Sequence, residues 1–322
     1  MECIILGVEI GGTKLQLALG TTSGAILVAS KGSVDKEAGG EGIRHWLLRS
    51  IPKFVDTSQY QWGQIKAIGV GFGGPINSNS GRILESIQIE GWEDFPLREW
   101  FEEQFDIPTA VENDSNAATW GEFKRGFGQG CQHFFYTNMG SGVGGGFVLD
   151  GHLFNGQGFG AGEFGHTYVP DWTTTQHDQA KKVEDLCSGW AIERRLRQPG
   201  YVPGTSLLYQ ELNGEMRSVT PKQLGEAAQK GDAFSLNEID RIANAMGLGL
   251  ANVLCLTGIE RIAIGGGVSN LGAILIDPIK KYTKKYAFVI NKGRYEISRC
   301  QLGDEIVLVG SILIAKGRFG IS

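Results

Sequence analysis

The sequence predicts an α/β fold with mixed sheets. Short apolar runs suited to strands alternate with longer stretches carrying apolar residues at helical spacing. A strand, a glycine turn and a second strand occur at residues 4–20 and again at 134–149, and strands joined that tightly must be antiparallel neighbours. Glycine is also in surplus, 49 of 322 residues, roughly twice the usual share and without the three-residue period of collagen. Such a surplus implies tight turns and places where backbone approaches a ligand closely.

The elements follow in order. Ile4 to Val8 is strand-like, and Leu15, Leu17 and Leu19 share one face of a second strand. Between them Glu9-Ile-Gly-Gly-Thr-Lys14 makes a turn whose backbone N–H groups can hold phosphate oxygens. Residues 41–60 read as a helix ending near Pro52, and Ile65 to Phe72 as a buried strand running into Gly73-Gly74-Pro75. An amphipathic helix is expected around Leu97 to Phe105, then a strand from Ile107 to Val111. Phe134 to Leu149 reads as strand, glycine loop (Gly140 to Gly146) and strand. Gly156 to Gly165 is a glycine-rich loop carrying Glu163 ahead of His166, and 170–182 is a polar loop. A helix is expected from Glu184 through Ala191 to Arg197, loop with short helices over 198–220, and helices over 221–230 and 235–257. Arg261 to Ser269 is a strand into a third glycine turn, a helix follows near Ile274 to Tyr282, and Ile306 to Lys316 closes the chain.

Composition removes several function classes. Net charge is −5, so a broad phosphate-neutralising surface for nucleic acid is not expected. Five dispersed cysteines with no C-x-x-C pair read as reduced thiols. Ile4 to Leu6 is too short for a signal peptide core, and apolar stretches such as Ile306 to Ala315 fall short of a membrane span. A cytoplasmic protein with no membrane partner is expected.

Val111-Glu-Asn-Asp-Ser-Asn-Ala-Ala-Thr-Trp-Gly-Glu122 carries the most chemistry. An apolar strand ends in short polar residues at the start of a helix, and Asn113, Asp114 and Ser115 are all good helix caps. If Asn113 or Ser115 caps, the Asp114 carboxylate can accept a proton from a bound hydroxyl, and the positive end of the helix favours its charged form. Other motifs fail. No loop has G-x-G-x-x-G between a strand and a helix with an acid about 20 residues on, and G-x-S-x-G and H-E-x-x-H are absent. Three glycine turns, Glu9 and Asp114 are the parts that phosphoryl transfer to a hydroxyl asks for: backbone donors round phosphates, a carboxylate toward magnesium, and a carboxylate at the acceptor.

The chain resembles the ROK family of bacterial sugar kinases and related repressors, within the actin/hexokinase superfamily, over nearly its whole length. Glu9 to Lys14 is similar to the first phosphate motif, Glu112 to Ala118 to the catalytic segment and Met139 to Gly146 to the second phosphate loop. Gly160-Ala-Gly-Glu-Phe-Gly-His166 is similar to the sugar signature and Ile264 to Ser269 to the adenosine-side glycines. The resemblance implies a two-lobed actin-like ATPase (ribonuclease H-like) fold, with residues 1–112 and 301–322 in one lobe and 113–300 in the other. It implies an ATP- and magnesium-dependent hexose kinase, with glucose the first expectation and a homodimer the expected assembly. Asp114 would be the general base. Asn113, Asp114, Glu163, His166 and Glu184 would bind the sugar. Gly11, Gly12, Thr13, Lys14, Gly140, Ser141, Gly142, Gly265, Gly266 and Gly267 would hold the nucleotide.

Two departures from the family pattern stand out. Glu9 replaces the usual aspartate, and one extra methylene changes the reach of a carboxylate expected to meet magnesium through water. The family's zinc loop, CxCGxxGC, is gone, leaving His166, His177 and Cys187 short of the four ligands zinc takes, so no zinc is expected. Alternatives are an inactive sugar sensor, a kinase for mannose, fructose or an N-acetylated hexose, and a kinase using polyphosphate. The first phosphate motif lies within ten residues of the start, which leaves a DNA-binding module of the repressor kind without a seat.

Overall fold

The structure is a computed structural model that describes residues 3–35, 37–85, 89–158, 162–176 and 179–322. The chain begins with β1 (Ile4–Ile10), β2 (Lys14–Thr21), β3 (Ile26–Ser33), α1 (Gly39–Asp56) and β4 (Ile65–Phe72). Two-residue strands β5 (Ile76–Asn77) and β6 (Arg82–Ile83), α2 (Leu97–Phe105), β7 (Thr109–Asn113) and α3 (Asp114–Arg125) follow. Next come β8 (Phe134–Asn138), β9 (Gly145–Leu149), β10 (His152–Phe154), β11 (Tyr168–Pro170), β12 (Ala180–Lys182), α4 (Val183–Cys187) and α5 (Gly189–Leu196). The remainder is α6 (Leu207–Glu211), α7 (Pro221–Gln229), α8 (Ala233–Thr257), β13 (Arg261–Gly265), α9 (Ala273–Tyr286), β14 (Glu296–Arg299) and α10 (Ile306–Phe319). The class is the expected one, α/β with parallel and antiparallel pairs.

The chain forms two compact units: residues 1–130, 146–162 and 301–322, and residues 131–145 and 163–300. Unit 1 is built on a five-stranded sheet ordered β3-β2-β1-β4-β7. β1 pairs antiparallel with β2 and parallel with β4, which pairs parallel with β7. Every residue of β1 is buried, as its central place requires. Helix α10 lies on this sheet and against α3. The approach is close enough that a Cβ at Gly310 would stand 1.7 Å from the Ala117 carbonyl oxygen, and one at Gly69 2.0 Å from that of Ser311. The same packing keeps α3 in the first compact unit, which runs to residue 130, with α10 as its partner from residues 301–322.

Unit 2 holds three parallel strands, β13 between β8 and β14, with long helices α8 and α9 packed together. Asp232 caps α8 by accepting from the Ser235 N–H at 3.0 Å, and Gly258 ends it at φ +63°. By length and composition α8 would reach across a bilayer, contrary to the reading that every apolar stretch is too short. Its apolar side is instead covered by α4, α7 and α9, and Ile239, Ile242, Met246 and Leu250 are buried.

Local signals misled in three places. α1 continues through Pro52 to Asp56, because Phe54 and Val55 are buried and that burial outweighs one lost backbone bond. The helix expected from Glu184 to Arg197 is broken at Ser188, which ends α4 and caps α5 through the Ala191 N–H. The polar stretch 170–182 includes the ends of the antiparallel hairpin β11–β12. Edge strands β3 and β14 carry polar residues and weak alternation, so their pattern is faint in the sequence.

Candidate functional site

In unit 1, register brings the predicted residues to one end of the sheet. Ile10 pairs with Phe72 and Phe72 with Asn113, so the turns after β1, β4 and β7 open side by side, at the carboxyl ends of parallel strands. The hairpin at Gly11 to Lys14 is closed by the Gly11 N–H on the Lys14 carbonyl at 3.0 Å, and Gly73 donates to the Ile10 carbonyl at 2.8 Å. Asn113 takes the capping role: its Oδ1 accepts from the Ser115 and Asn116 N–H groups at 2.9 and 3.2 Å, and its Nδ2 donates to the Gly74 carbonyl at 3.1 Å. Asp114 is the first residue of α3, and Asn113 is its cap. The Ser115 hydroxyl donates to Oδ1 at 3.2 Å, and a Cβ on Gly73 would lie 3.1 Å from Oδ2. Any side chain at 73 would crowd that oxygen.

Below this row lies a network that sequence reasoning passed over. Glu112, 4% exposed, accepts at Oε1 from the Ser78 hydroxyl (2.9 Å), the Asn113 N–H (3.0 Å) and Asn116 Nδ2 (3.1 Å). Its Oε2 accepts from Asn155 Nδ2 at 3.1 Å, and Asn116 Nδ2 also reaches Asn155 Oδ1 at 2.8 Å. The strand end before Asp114 is thus fixed to two loops through one buried carboxylate. A charged residue within a buried strand was the available signal.

Glu9 sits in the interior between partners. Lys14 Nζ is 3.1 Å from Oε1, and Gln16 Nε2 donates to Oε2. Burial pushes its carboxyl above the ordinary value of 4.5, while Lys14 and Gln16 act against that rise. A carboxyl raised on folding adds stability that is complete below its unfolded value and is lost as pH rises through the folded one. We therefore expect Glu9→Gln to gain on the parent as pH rises from 4.5 through that interval, measured by urea unfolding at successive pH values. A pH-independent difference would contradict this reading.

In unit 2, the two later glycine turns come together. Gly265 pairs with Asn138 at the ends of β13 and β8. Met139 donates to the Gly265 carbonyl at 2.9 Å, and Val268 to the Met139 carbonyl at 2.8 Å. Gly266 has φ +82°, and a Cβ there would stand 2.5 Å from the Met139 carbonyl carbon, so only glycine suits. Gly140, Ser141 and Gly142 form the turn itself, joined by the Gly140 N–H on the Gly142 carbonyl at 2.9 Å. Glu184, expected at the sugar, places Oε2 2.8 Å from the Val143 N–H of this loop.

His166 ends the short 3-10 turn Phe164–His166, which Glu163 precedes, and both side chains are exposed. Phe164 beside them is buried, anchoring the turn. His166 Nδ1 lies 3.1 Å from Lys182 Nζ; an ammonium only donates, so Nδ1 accepts and the proton resides on Nε2. The stretch that carries zinc ligands in the family pattern is held here by other means. Asp171 accepts from the Thr173 N–H (2.8 Å) and hydroxyl (2.6 Å) and pairs with Lys181 at 3.3 Å. Cys187 is fully buried, burial pushes its thiol up to about 12, and its Sγ donates to the Ile242 carbonyl. His177, and Gly160 and Ala161 of the sugar signature, lie outside the described residues. Among the described residues no three His, Cys, Asp or Glu side chains gather to hold a metal ion.

The ROK family, as a sequence model, matches residues 5–318. A glucokinase of Halalkalibacterium halodurans is 32% identical over 314 residues, 97% of this chain and 94% of its own. A glucokinase of Thermotoga maritima is 30% identical over 318 residues, 98% of both. Among solved structures, a ROK family glucokinase from Streptomyces griseus in complex with glucose and AMPPNP superposes with TM-score 0.81 at 29% identity, covering 98% of this chain and 99% of that one.

Proposed function

The chain belongs to the ROK family, and from that premise we propose that it phosphorylates a hexose, glucose first, with ATP as donor. The observation that carries this reading is the place of Asp114, at the start of α3 beside its cap Asn113 and among the turns that end β1, β4 and β7. The chemistry asks little covalent work of the protein. In a loose transition state the acceptor proton leaves late, so the carboxylate orients the hydroxyl and then takes its proton. Asp114 does this. Glu163, the His166 Nε2–H and Glu184 are the hydroxyl partners, two acceptors and one donor, which is the mixed set that a sugar requires. Asn113 keeps its Nδ2 toward Gly74 and its Oδ1 in the helix, so its share is to hold Asp114 as much as to meet the sugar.

The glycine turns at 11–14, 140–142 and 265–267 offer backbone to the nucleotide, with Lys14 the cation of the first. A magnesium ion would arrive on the phosphates and keep most of its waters, and one or two carboxylates then suffice. Glu9 would be that carboxylate, through water. The ion would neutralise charge on the transferring group. The copies are proposed to pair as a homodimer.

The test is an assay of sugar phosphate formation from glucose, mannose, fructose and N-acetylated hexoses, with ATP or polyphosphate as donor. Turnover with ATP and one hexose, glucose foremost, is the expected result. Turnover with polyphosphate alone would change the donor. Sugar binding without turnover on either donor would overturn the kinase reading in favour of a sensor.

A further inference from the structure

We propose that Glu184 is a positioning residue for the second phosphate loop, holding residues 140–143 in shape through the Val143 N–H while its site serves the sugar. The inference rests on the sugar-kinase reading above and extends it to the nucleotide side.

The geometry begins with α4, where buried Val183, Leu186 and Cys187 lock one face inward and leave Glu184 on the other. The Val183 N–H on the Thr167 carbonyl, at 2.9 Å, ties the start of this helix to the turn that carries His166. From there the junction of α4 and α5 meets the loop at three points. Glu184 Oε2 accepts from Val143 N at 2.8 Å, Gly189 N donates to the Gly140 carbonyl at 2.7 Å, and Trp190 N to the Ser141 carbonyl at 3.4 Å.

These bonds matter to an anion. A loop that holds phosphate must turn its carbonyl oxygens elsewhere, since they would repel it. Here the carbonyls of Gly140, Ser141 and Gly142 accept from Gly189, Trp190 and Gly140 in turn. Glu184 fixes the last peptide of the same turn. The approach is close: a Cβ at Gly142 would stand 2.6 Å from Glu184 Oε2 and push the carboxylate aside. One carboxylate therefore answers to both ligands, and a sugar that draws on Glu184 adjusts the loop that receives the nucleotide.

The role is that of an acceptor, not of a charge, and that distinction gives the test. Glu184→Gln keeps an oxygen for the Val143 N–H, whereas Glu184→Ala removes it. Binding of a non-hydrolysable ATP analogue with magnesium is measured calorimetrically without sugar and with glucose saturating. Glu184→Ala is expected to weaken nucleotide binding about tenfold, the scale of one lost hydrogen bond, and Glu184→Gln to leave it no weaker than the parent. Amide exchange at Val143, which needs no ligand, should quicken in Glu184→Ala and stay slow in Glu184→Gln. Gly142→Ala displaces the carboxylate without removing it, and should match Glu184→Ala, including where the latter folds poorly. Unchanged nucleotide affinity and unchanged exchange in Glu184→Ala would overturn the proposal, as would equal losses for Ala and Gln. Glucose affinity of the same variants answers the separate question: if it holds in all three, Glu184 has no part in sugar binding, and the loop result stands by itself.

Discussion

Asp114→Asn is expected to lower kcat by about 10²–10⁴-fold while glucose still binds, the range associated with losing a general base. Asparagine has the same shape and can still accept at Oδ1 from the Ser115 hydroxyl, which is 3.2 Å away in the parent. What it cannot do is take the proton of the acceptor hydroxyl. The check is steady-state kinetics beside direct sugar binding, because kcat and affinity separate only if the carboxylate acts mainly in the transition state. Equal losses in both would make Asp114 a structural residue. The packing at Gly73, where a Cβ would lie 3.1 Å from Oδ2, supplies a second probe: Gly73→Ala should crowd the carboxylate and cut kcat in the same direction.

The largest stability effect is expected away from this row, at the Arg195–Glu238 pair in unit 2. Arg195 Nε donates to Glu238 Oε1 at 2.9 Å, with side chains 5% and 1% exposed. Tyr201 donates to the other oxygen at 2.8 Å, and burial together with the Glu238 charge pushes its hydroxyl up to about 12. The Arg195 guanidinium also lies over the Trp172 ring, 5.4 Å from its centre, so the pair supports the segment that carries Trp172. Arg195→Met leaves Glu238 buried and uncompensated, which costs about 3–5 kcal/mol. It should show as a large fall in denaturant midpoint. Adding Glu238→Leu and Tyr201→Phe to the same chain should recover most of the loss, because a buried pair contributes far less than either partner left alone. A loss below about 1 kcal/mol for Arg195→Met would mean that water reaches Glu238.

The sequence by itself determined what short-range rules control. The glycine turns at 11–12, 140–142 and 265–267 follow strands, and at Gly266, with φ +82°, only glycine suits the backbone path. Asn113 and Asp114 were placed at a strand end and helix start by capping chemistry, although which of Asn113 and Ser115 capped was open. Tertiary structure decided the rest, because it depends on partners distant in the chain. α3 belongs with residues 301–322 through its fit to α10. Glu184 reaches Val143 across 41 positions, and Glu112 gathers Ser78 and Asn155 from 34 and 43 positions away. Lys182 meets His166 only because the β11–β12 hairpin pairs Tyr168 with Lys182. Local rules fix how a turn bends; which carboxylate ends up beside it is settled by packing.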